Sequence, residues 1–140
     1  MADKRRNESV FAEIINKINA LPSFSDFSVD DLIAHGKEIG QRLAKKPIEL
    51  KTSQIRRFFD SLKNIQSKIT KESFEQYRDE IVLLRPKLAY AAGRQRRQVE
   101  DLMKVLDPAI SKIENYEDFN CFIQFVETIV AYHKYAGGGE

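Results

Sequence analysis

The chain has 140 residues, of which 42% are hydrophobic and 31% charged, and its formal net charge is +2. These values predict one soluble domain and exclude a membrane-spanning protein, because no segment approaches the ~18 consecutive apolar residues that a bilayer requires. Cys121 is the one cysteine, which excludes an internal disulfide and a cysteine-based metal site and favours the cytoplasm. The N-terminal residues predict no signal peptide.

Apolar residues at spacings of three and four predict two helices in the N-terminal part. The apolar face of the first comprises Phe11, Ile14, Ile15, Ile18 and Leu21. This helix ends before Pro22, and a connector covers residues 23–27. Ser28 with Asp31 three residues later predicts the capped start of a second helix that ends near Lys45.

Two glycines, Gly36 and Gly40, fall inside the second predicted helix. Each costs about 1 kcal/mol against alanine in a helix interior. Two interpretations stay open, a packing face of small residues and partial fraying of the helix.

After Pro47 the apolar pattern becomes denser and predicts a third helix. Its apolar arc comprises Ile55, Phe58, Phe59, Leu62, Ile65 and Ile69. Arg56 and Arg57 fall on the opposite arc, and Thr52 or Ser53 is the predicted N-cap.

Three further helices complete the prediction, over about 71–84, 95–113 and 116–135. Pro86 breaks or kinks the chain after the first of them, and Pro108 is a predicted kink in the second. No stretch alternates with a period of two, so the sequence predicts an all-α bundle of about five to six helices in a single domain.

Within that domain the sequence suggests three parts. Residues 1–47 form an N-terminal helical segment that packs on the bundle or on a neighbouring protomer, residues 48–136 form the core bundle, and residues 137–140 form a flexible tail.

The charge is unevenly distributed along the chain. Residues 42–63 hold seven basic and two acidic side chains, and residues 85–97 hold five basic side chains and no acidic one. Such clusters are typical of a surface for a polyanion, where cations neutralise phosphates and an aromatic residue such as Tyr90 stacks on a base or ribose. The alternative is that they are solvated helix faces.

Residues for catalysis or metal binding are not grouped in any recognisable motif. His35 and His133 are the only histidines, and neither has a histidine or cysteine at zinc-ligand spacing. No nucleophile motif or phosphate-binding loop is present. We therefore expect no enzymatic activity, no metal and no cofactor.

Three blocks carry a resemblance to a known family: LKTSQIRRFF at 50–59, LLRPKLAYAAGR at 83–94 and FVETIVAYHKY at 125–135. In this order and spacing they resemble the small subunit of the type III-A CRISPR-Cas (Csm) interference complex, over roughly residues 48–138. The first 47 residues contribute little to the resemblance.

The resemblance implies a non-catalytic antiviral-defence subunit that stacks in a filament beside the backbone and large Csm subunits. It also implies sequence-independent contacts to the backbone of the crRNA and of the target single-stranded RNA. We expect self-association, with Gly36, Gly40 and the aromatic C-terminus as contact surfaces, and no membrane partner.

Carried over by position, the RNA-binding candidates are Lys51, Ser53, Gln54, Arg56, Arg57, Lys87, Tyr90 and Arg94. The first five would lie at the start and polar face of the third helix, whose available N-terminus also favours phosphate. We expect four other residues of these blocks to pack inside the protein: Leu88, Ala89, Ala91 and Ala92. For Tyr132, His133 and Tyr135 we expect packing or contact with another subunit.

Two other functions are compatible with the sequence. A helical DNA-binding regulator would need a recognition helix with base-reading side chains, and no clear pair of helices surrounds residues 85–97. A purely structural scaffold would assemble with its partners but show no salt-dependent RNA binding.

Overall fold

The computed structural model describes residues 2–139, without the side chains at positions 2, 3, 96 and 97. Its helices are α1 (Ala2–Asn19), α2 (Val29–Ala44), α3 (Thr52–Lys68), α4 (Phe74–Val82), α5 (Leu84–Arg94), α6 (Arg96–Ile110) and α7 (Tyr116–Tyr135). A 3₁₀ turn at Phe24–Asp26 precedes α2, and the described residues contain no strand. The all-α, single-domain prediction is confirmed. None of the described helices is both long and apolar enough to cross a membrane.

The helix boundary lies at Leu83, close to the break predicted at Pro86, and α4 meets α5 there without a loop. Pro86 explains this position, because the proline ring collides with the carbonyl four residues earlier, that of Val82. Pro86 therefore lies in the first turn of α5, where its missing N–H costs nothing. If α4 and α5 are counted as one bent helix, the described chain has six helices, within the predicted number.

Helices α2 and α7 make the most extensive contact in the fold. Gly36 and Gly40 are buried between them, and a Cβ atom on Gly40 would lie only 2.5 Å from the carbonyl oxygen of Ile129. Of the two interpretations of these glycines, the packing face is therefore correct. Both are used inside the chain, so the prediction that they are self-association surfaces is wrong.

The predicted connector over residues 23–27 is an ordered part of the core. Phe24 and Phe27 are both buried, and their ring centroids are 5.6 Å apart in an edge-to-face arrangement. The Phe24 ring also lies 5.8 Å from that of Phe122 on α7. Aromatic pairs of this geometry add about 0.5–1.5 kcal/mol beyond the area that they bury.

A buried carboxylate on α7, that of Asp118, holds this turn in place. It lies 2.5 Å from Ser23 Oγ and accepts hydrogen bonds from the N–H groups of Ser25 and Glu114 at 2.8 and 2.9 Å. Burial alone would raise the pKa of Asp118, but these hydrogen bonds outweigh it and lower that pKa. The carboxylate therefore stays charged and links the first turn of α7 to the segment before α2.

A junction of four hydrogen bonds fixes the start of α3. His133 Nε2 donates to the carbonyl of Leu50 at 2.6 Å, and the N–H of Leu50 donates to the carbonyl of Leu43 at 2.7 Å. From the C-terminal tail, the carbonyl of Gly139 accepts the N–H of Thr52 at 2.7 Å and the carbonyl of Gly138 accepts the Thr52 hydroxyl at 3.1 Å.

The junction corrects two expectations about α3. Its N-cap is Lys51 rather than Thr52 or Ser53, because the Thr52 hydroxyl is turned to the tail. The Thr52 N–H is already bonded to Gly139, so the helix N-terminus is less available to phosphate than predicted. Gly138, in the tail that was expected to be flexible, is buried against the His133 ring, where a side chain would collide.

Several predicted helix features are confirmed. Ser28 is the N-cap of α2, and its hydroxyl accepts the N–H of Asp31 at 3.2 Å. Leu88 and Ala92 on α5 are buried, as expected for packing residues. Ala89 is exposed, so its assignment to packing is wrong, because it lies on the opposite side of α5.

We predict opposite effects of alanine at two helical glycines. Gly40→Ala should lower the free energy of unfolding by about 1–3 kcal/mol, because its Cβ meets backbone that cannot move alone. Gly93→Ala should raise it by up to about 1 kcal/mol, because a Cβ there has no atom within 4 Å. Urea unfolding of both variants tests the helix contact, and equal effects at the two positions would contradict it.

Acid should destabilise the junction. Burial lowers the pKa of His133 and outweighs the hydrogen bond to Leu50, which would raise it. Below about pH 6.5 the histidine therefore binds a proton more readily in the unfolded chain than in the folded chain. Stability is thus complete above that pH and is lost as the pH falls towards 5.

The measurement is the melting temperature between pH 7.5 and 5. We expect a smaller loss in His133→Gln than in the wild type. His35→Gln is a comparison variant outside the junction: burial also lowers the pKa of His35, so this variant too should lose less stability than the wild type. If His133→Gln keeps the whole wild-type pH dependence, the neutral junction histidine is refuted.

Candidate nucleic-acid interface

A cleft of about 300 Å³ lies where α3 faces α5 and the start of α6. Its lining residues are Leu50, Ser53, Gln54, Arg57, Phe58, Ser61, Leu84, Lys87, Leu88, Ala91, Gln95, Val99 and Leu102. The structure therefore brings together Ser53, Gln54 and Arg57 from one predicted cluster and Lys87 from the other.

The outer face of α3 carries Arg56 and Arg57, both exposed. Ile55 and Leu62 on the same helix are fully buried, so the two arginines project away from the core as predicted. A shallow depression next to the cleft is lined by Ser53, Arg56, Arg57, Asp60, Ser61 and Asn64. Arg57 borders both concavities, which makes it the central cation of this face.

The cations of this region are not neutralised by neighbouring acids. Within the described part of the chain, Lys51, Arg56, Arg57 and Lys87 form no salt bridge. All four are exposed. Their charge is therefore available to an anion.

Gln54 has a structural role that the sequence did not reveal. Its Oε1 accepts the N–H of Lys51 at 2.8 Å, which fixes the orientation of the amide. Its Nε2 then donates to the side chains of Gln95 at 2.6 Å and Gln98 at 2.9 Å. Gln54 thus connects α3 to the start of α6 and holds the two walls of the cleft together.

Lys87, Tyr90 and Arg94 lie on one stripe of α5, since a helix turns by about 100° per residue. Tyr90 is 69% exposed, and the Arg94 guanidinium lies 5.9 Å from its ring centroid in a cation–π contact. Only Lys87 of the three lines the cleft. Tyr90 and Arg94 extend the surface outward from its rim.

Arg85, which belongs to the same basic stretch of the sequence, is paired. Its guanidinium donates to the two carboxylate oxygens of Asp107 at 2.8 and 3.1 Å. The hydrogen bond to Asp107 raises the pKa of Arg85. Arg85 therefore joins α5 to α6 and adds little to the cationic surface.

Sequence reasoning missed the apolar and polar walls of the cleft, above all Phe58, Ser61 and Ala91. Phe58 and Ser61 follow Gln54 and Arg57 at helical spacing, so the pattern of α3 could have indicated them. Ala91 on α5 could not be found in this way, because its place in the cleft depends on how α5 lies opposite α3 in the folded chain.

Among the described residues, no group of three or more His, Cys, Asp or Glu side chains lies close enough together to hold a metal ion.

Comparisons with known proteins agree on one family. The model of the Csm2 type III-A family matches residues 26–139. A protein of Streptococcus thermophilus named as Csm2 of a CRISPR system is 30% identical over 92 residues, which cover 64% of this chain and 74% of that protein. No solved structure matches the chain at a significant level. The chain belongs to the Csm2 family and is a small subunit of a type III-A CRISPR complex.

Proposed function

We propose that this subunit contacts the backbone of the guide and target RNA through one cationic surface. The surface runs from Lys51 and the outer face of α3, past the cleft, to the stripe of Lys87, Tyr90 and Arg94 on α5. The observation that carries the proposal is that Arg57 and Lys87, from two separate clusters in the sequence, line the same cleft.

Phosphate contact is the chemistry that this surface fits best. Unpaired lysines and arginines release counterions from a nucleic acid and supply affinity that does not depend on base identity. Such contacts suffice in a complex where base pairing between guide and target supplies the specificity. Members of this family are generally structural and non-catalytic, and we propose the same for this chain.

Stacking of the subunit in a cytoplasmic filament is the second part of the proposal. Val29 and Ile33 lie one turn apart on α2 and are 66% and 43% exposed, and Tyr135 at the end of α7 is 83% exposed. Large apolar side chains at such exposure are candidates for contacts between protomers.

Removing the two arginines should weaken RNA binding without unfolding the protein. Each cation that meets a phosphate contributes about 0.7 to the slope of log affinity against log salt for a single strand. We therefore expect Arg56→Ala with Arg57→Ala to lower that slope by up to about 1.4 for single-stranded RNA of any sequence. Fluorescence anisotropy at several salt concentrations measures it.

Arg78→Ala is the matched control, because Arg78 is an exposed arginine on α4 outside both concavities. It should leave the slope unchanged. A folded double variant with wild-type slope and affinity would mean that Arg56 and Arg57 are a solvated face. Tighter binding of duplex DNA than of RNA would favour a DNA-binding regulator, and no salt-dependent binding at all would favour a scaffold.

Self-association should depend on the exposed apolar residues of α2. We expect the sedimentation coefficient of the wild type to rise with concentration and that of Val29→Lys with Ile33→Lys to stay constant. Ala34→Lys, at an exposed position of the same helix, is the control and should behave as the wild type. A wild type that stays monomeric over a wide concentration range would refute the proposal.

A further inference from the structure

We propose that the cleft between α3 and α5 receives a nucleobase of the bound RNA strand. This inference rests on the proposed RNA contact and adds to it a ligand, one unstacked base, and the residues that hold it. Neutralisation of phosphates requires only a charged surface, so an apolar cleft between the cations has no role in backbone contact alone.

The cleft has the size and lining of a site for one planar heterocycle. Its volume of about 300 Å³ lies at the lower end of the ~300–1,000 Å³ range of small-molecule sites. The inner walls are apolar, with Phe58 on α3 facing Leu84 and Leu88 on α5. The half-buried ring of Phe58 offers an aromatic surface for stacking, which every base can use.

The charges at the rim specify a nucleotide rather than an apolar side chain of a protein partner. Arg57 stands on the α3 side of the cleft and Lys87 on the α5 side. The nucleotide whose base is inserted has a phosphate on each side along its strand, so the two cations match these two phosphates. An apolar protein side chain would leave both cations without a counterion.

The cleft is preorganised. The Gln54 amide joins α3 to Gln95 and Gln98 at one end, and the junction with the C-terminal tail fixes where α3 begins. Binding therefore does not have to order the walls, which lowers its entropic cost. The Ser53 hydroxyl can donate or accept, and the Ser61 hydroxyl, which donates to the carbonyl of Arg57 at 3.1 Å, can accept, so any of the four bases is compatible.

Filling the cleft tests the inference without changing the charge. Ala91→Leu and Ser61→Leu place a larger side chain in it from opposite walls, and Ala89→Leu is the matched control on the exposed side of α5. The probe is a single-stranded oligouridine with one 2-aminopurine, whose fluorescence changes when the base leaves solvent. For the wild-type protein, a second set of oligonucleotides of equal length carries one abasic residue each, placed at every position of the strand in turn.

We expect the two cleft variants to bind roughly 5- to 150-fold more weakly, the range that corresponds to the stacking of one base. They should also lose the change in 2-aminopurine fluorescence, while the slope of log affinity against log salt stays at the wild-type value. Ala89→Leu should match the wild type. In the wild type, at least one abasic position should weaken binding by a similar factor.

Two results would overturn the inference, and they differ in what they leave standing. If the folded cleft variants bind like the wild type and no abasic position matters, the cleft takes no base, although the arginine variants can still show a backbone surface. If the wild type binds no RNA even at low salt, the proposed function and the base site both fall. The abasic scan needs no variant, so it decides even if a leucine variant unfolds.

Discussion

The hydrogen bond from His133 to the carbonyl of Leu50 is the constraint on which the candidate interface depends. A carbonyl oxygen can only accept, so His133 Nε2 must carry a proton. Burial lowers the pKa of His133, which favours the neutral ring. In the described structure Nδ1 of the same ring is buried without a hydrogen-bond partner, which adds a cost to the site. The bond nevertheless ties the last turns of α7 to the residue that precedes Lys51 and α3.

The close contact of α2 and α7 gives this junction a rigid base. Gly36 and Gly40 let the two helix backbones approach, and Leu43, at the end of α2, receives the N–H of Leu50. Asp118 holds the other end of α7 to the turn at Phe24. The N-terminal helices and α7 thus form a frame, and α3 with α5 presents the cations on its outer side.

The candidate interface lies on regular helices that the frame supports. Arg57 and Lys87 lie on regular helices rather than on loops, so their positions are fixed by packing of the buried Ile55, Leu84 and Leu88 beneath them. Sites on helices are held more tightly than sites on loops, which suits the proposed role of a subunit that repeats the same contact along an RNA.

The sequence could predict what depends on local periodicity. The helices, the Ser28 cap and the outward position of Arg56 and Arg57 follow from the spacing of apolar residues within each segment. The sequence could not show that Gln54 is used to connect two helices, because its partners lie more than 40 positions away.

Ion pairs between residues far apart in the sequence also decide which cations are available to a ligand. The sequence places Arg85 and Lys87 in one basic cluster, yet Asp107 neutralises the first and leaves the second at the cleft. Likewise, Tyr90 lies on α5 but outside the cleft, and Phe58, which the sequence placed in the apolar arc of α3, forms the aromatic wall of the cleft.

The most direct test of the central claim, that α3 and α5 form one RNA surface, is a map of RNA contacts in the assembled complex. Photo-crosslinking with 4-thiouridine in the target strand, followed by mass spectrometry of peptides from this subunit, provides that map. The structure predicts crosslinks in both 51–61 and 84–95 of the same protomer. Crosslinks confined to α1, α2 or α7, with none in these two segments, would contradict it.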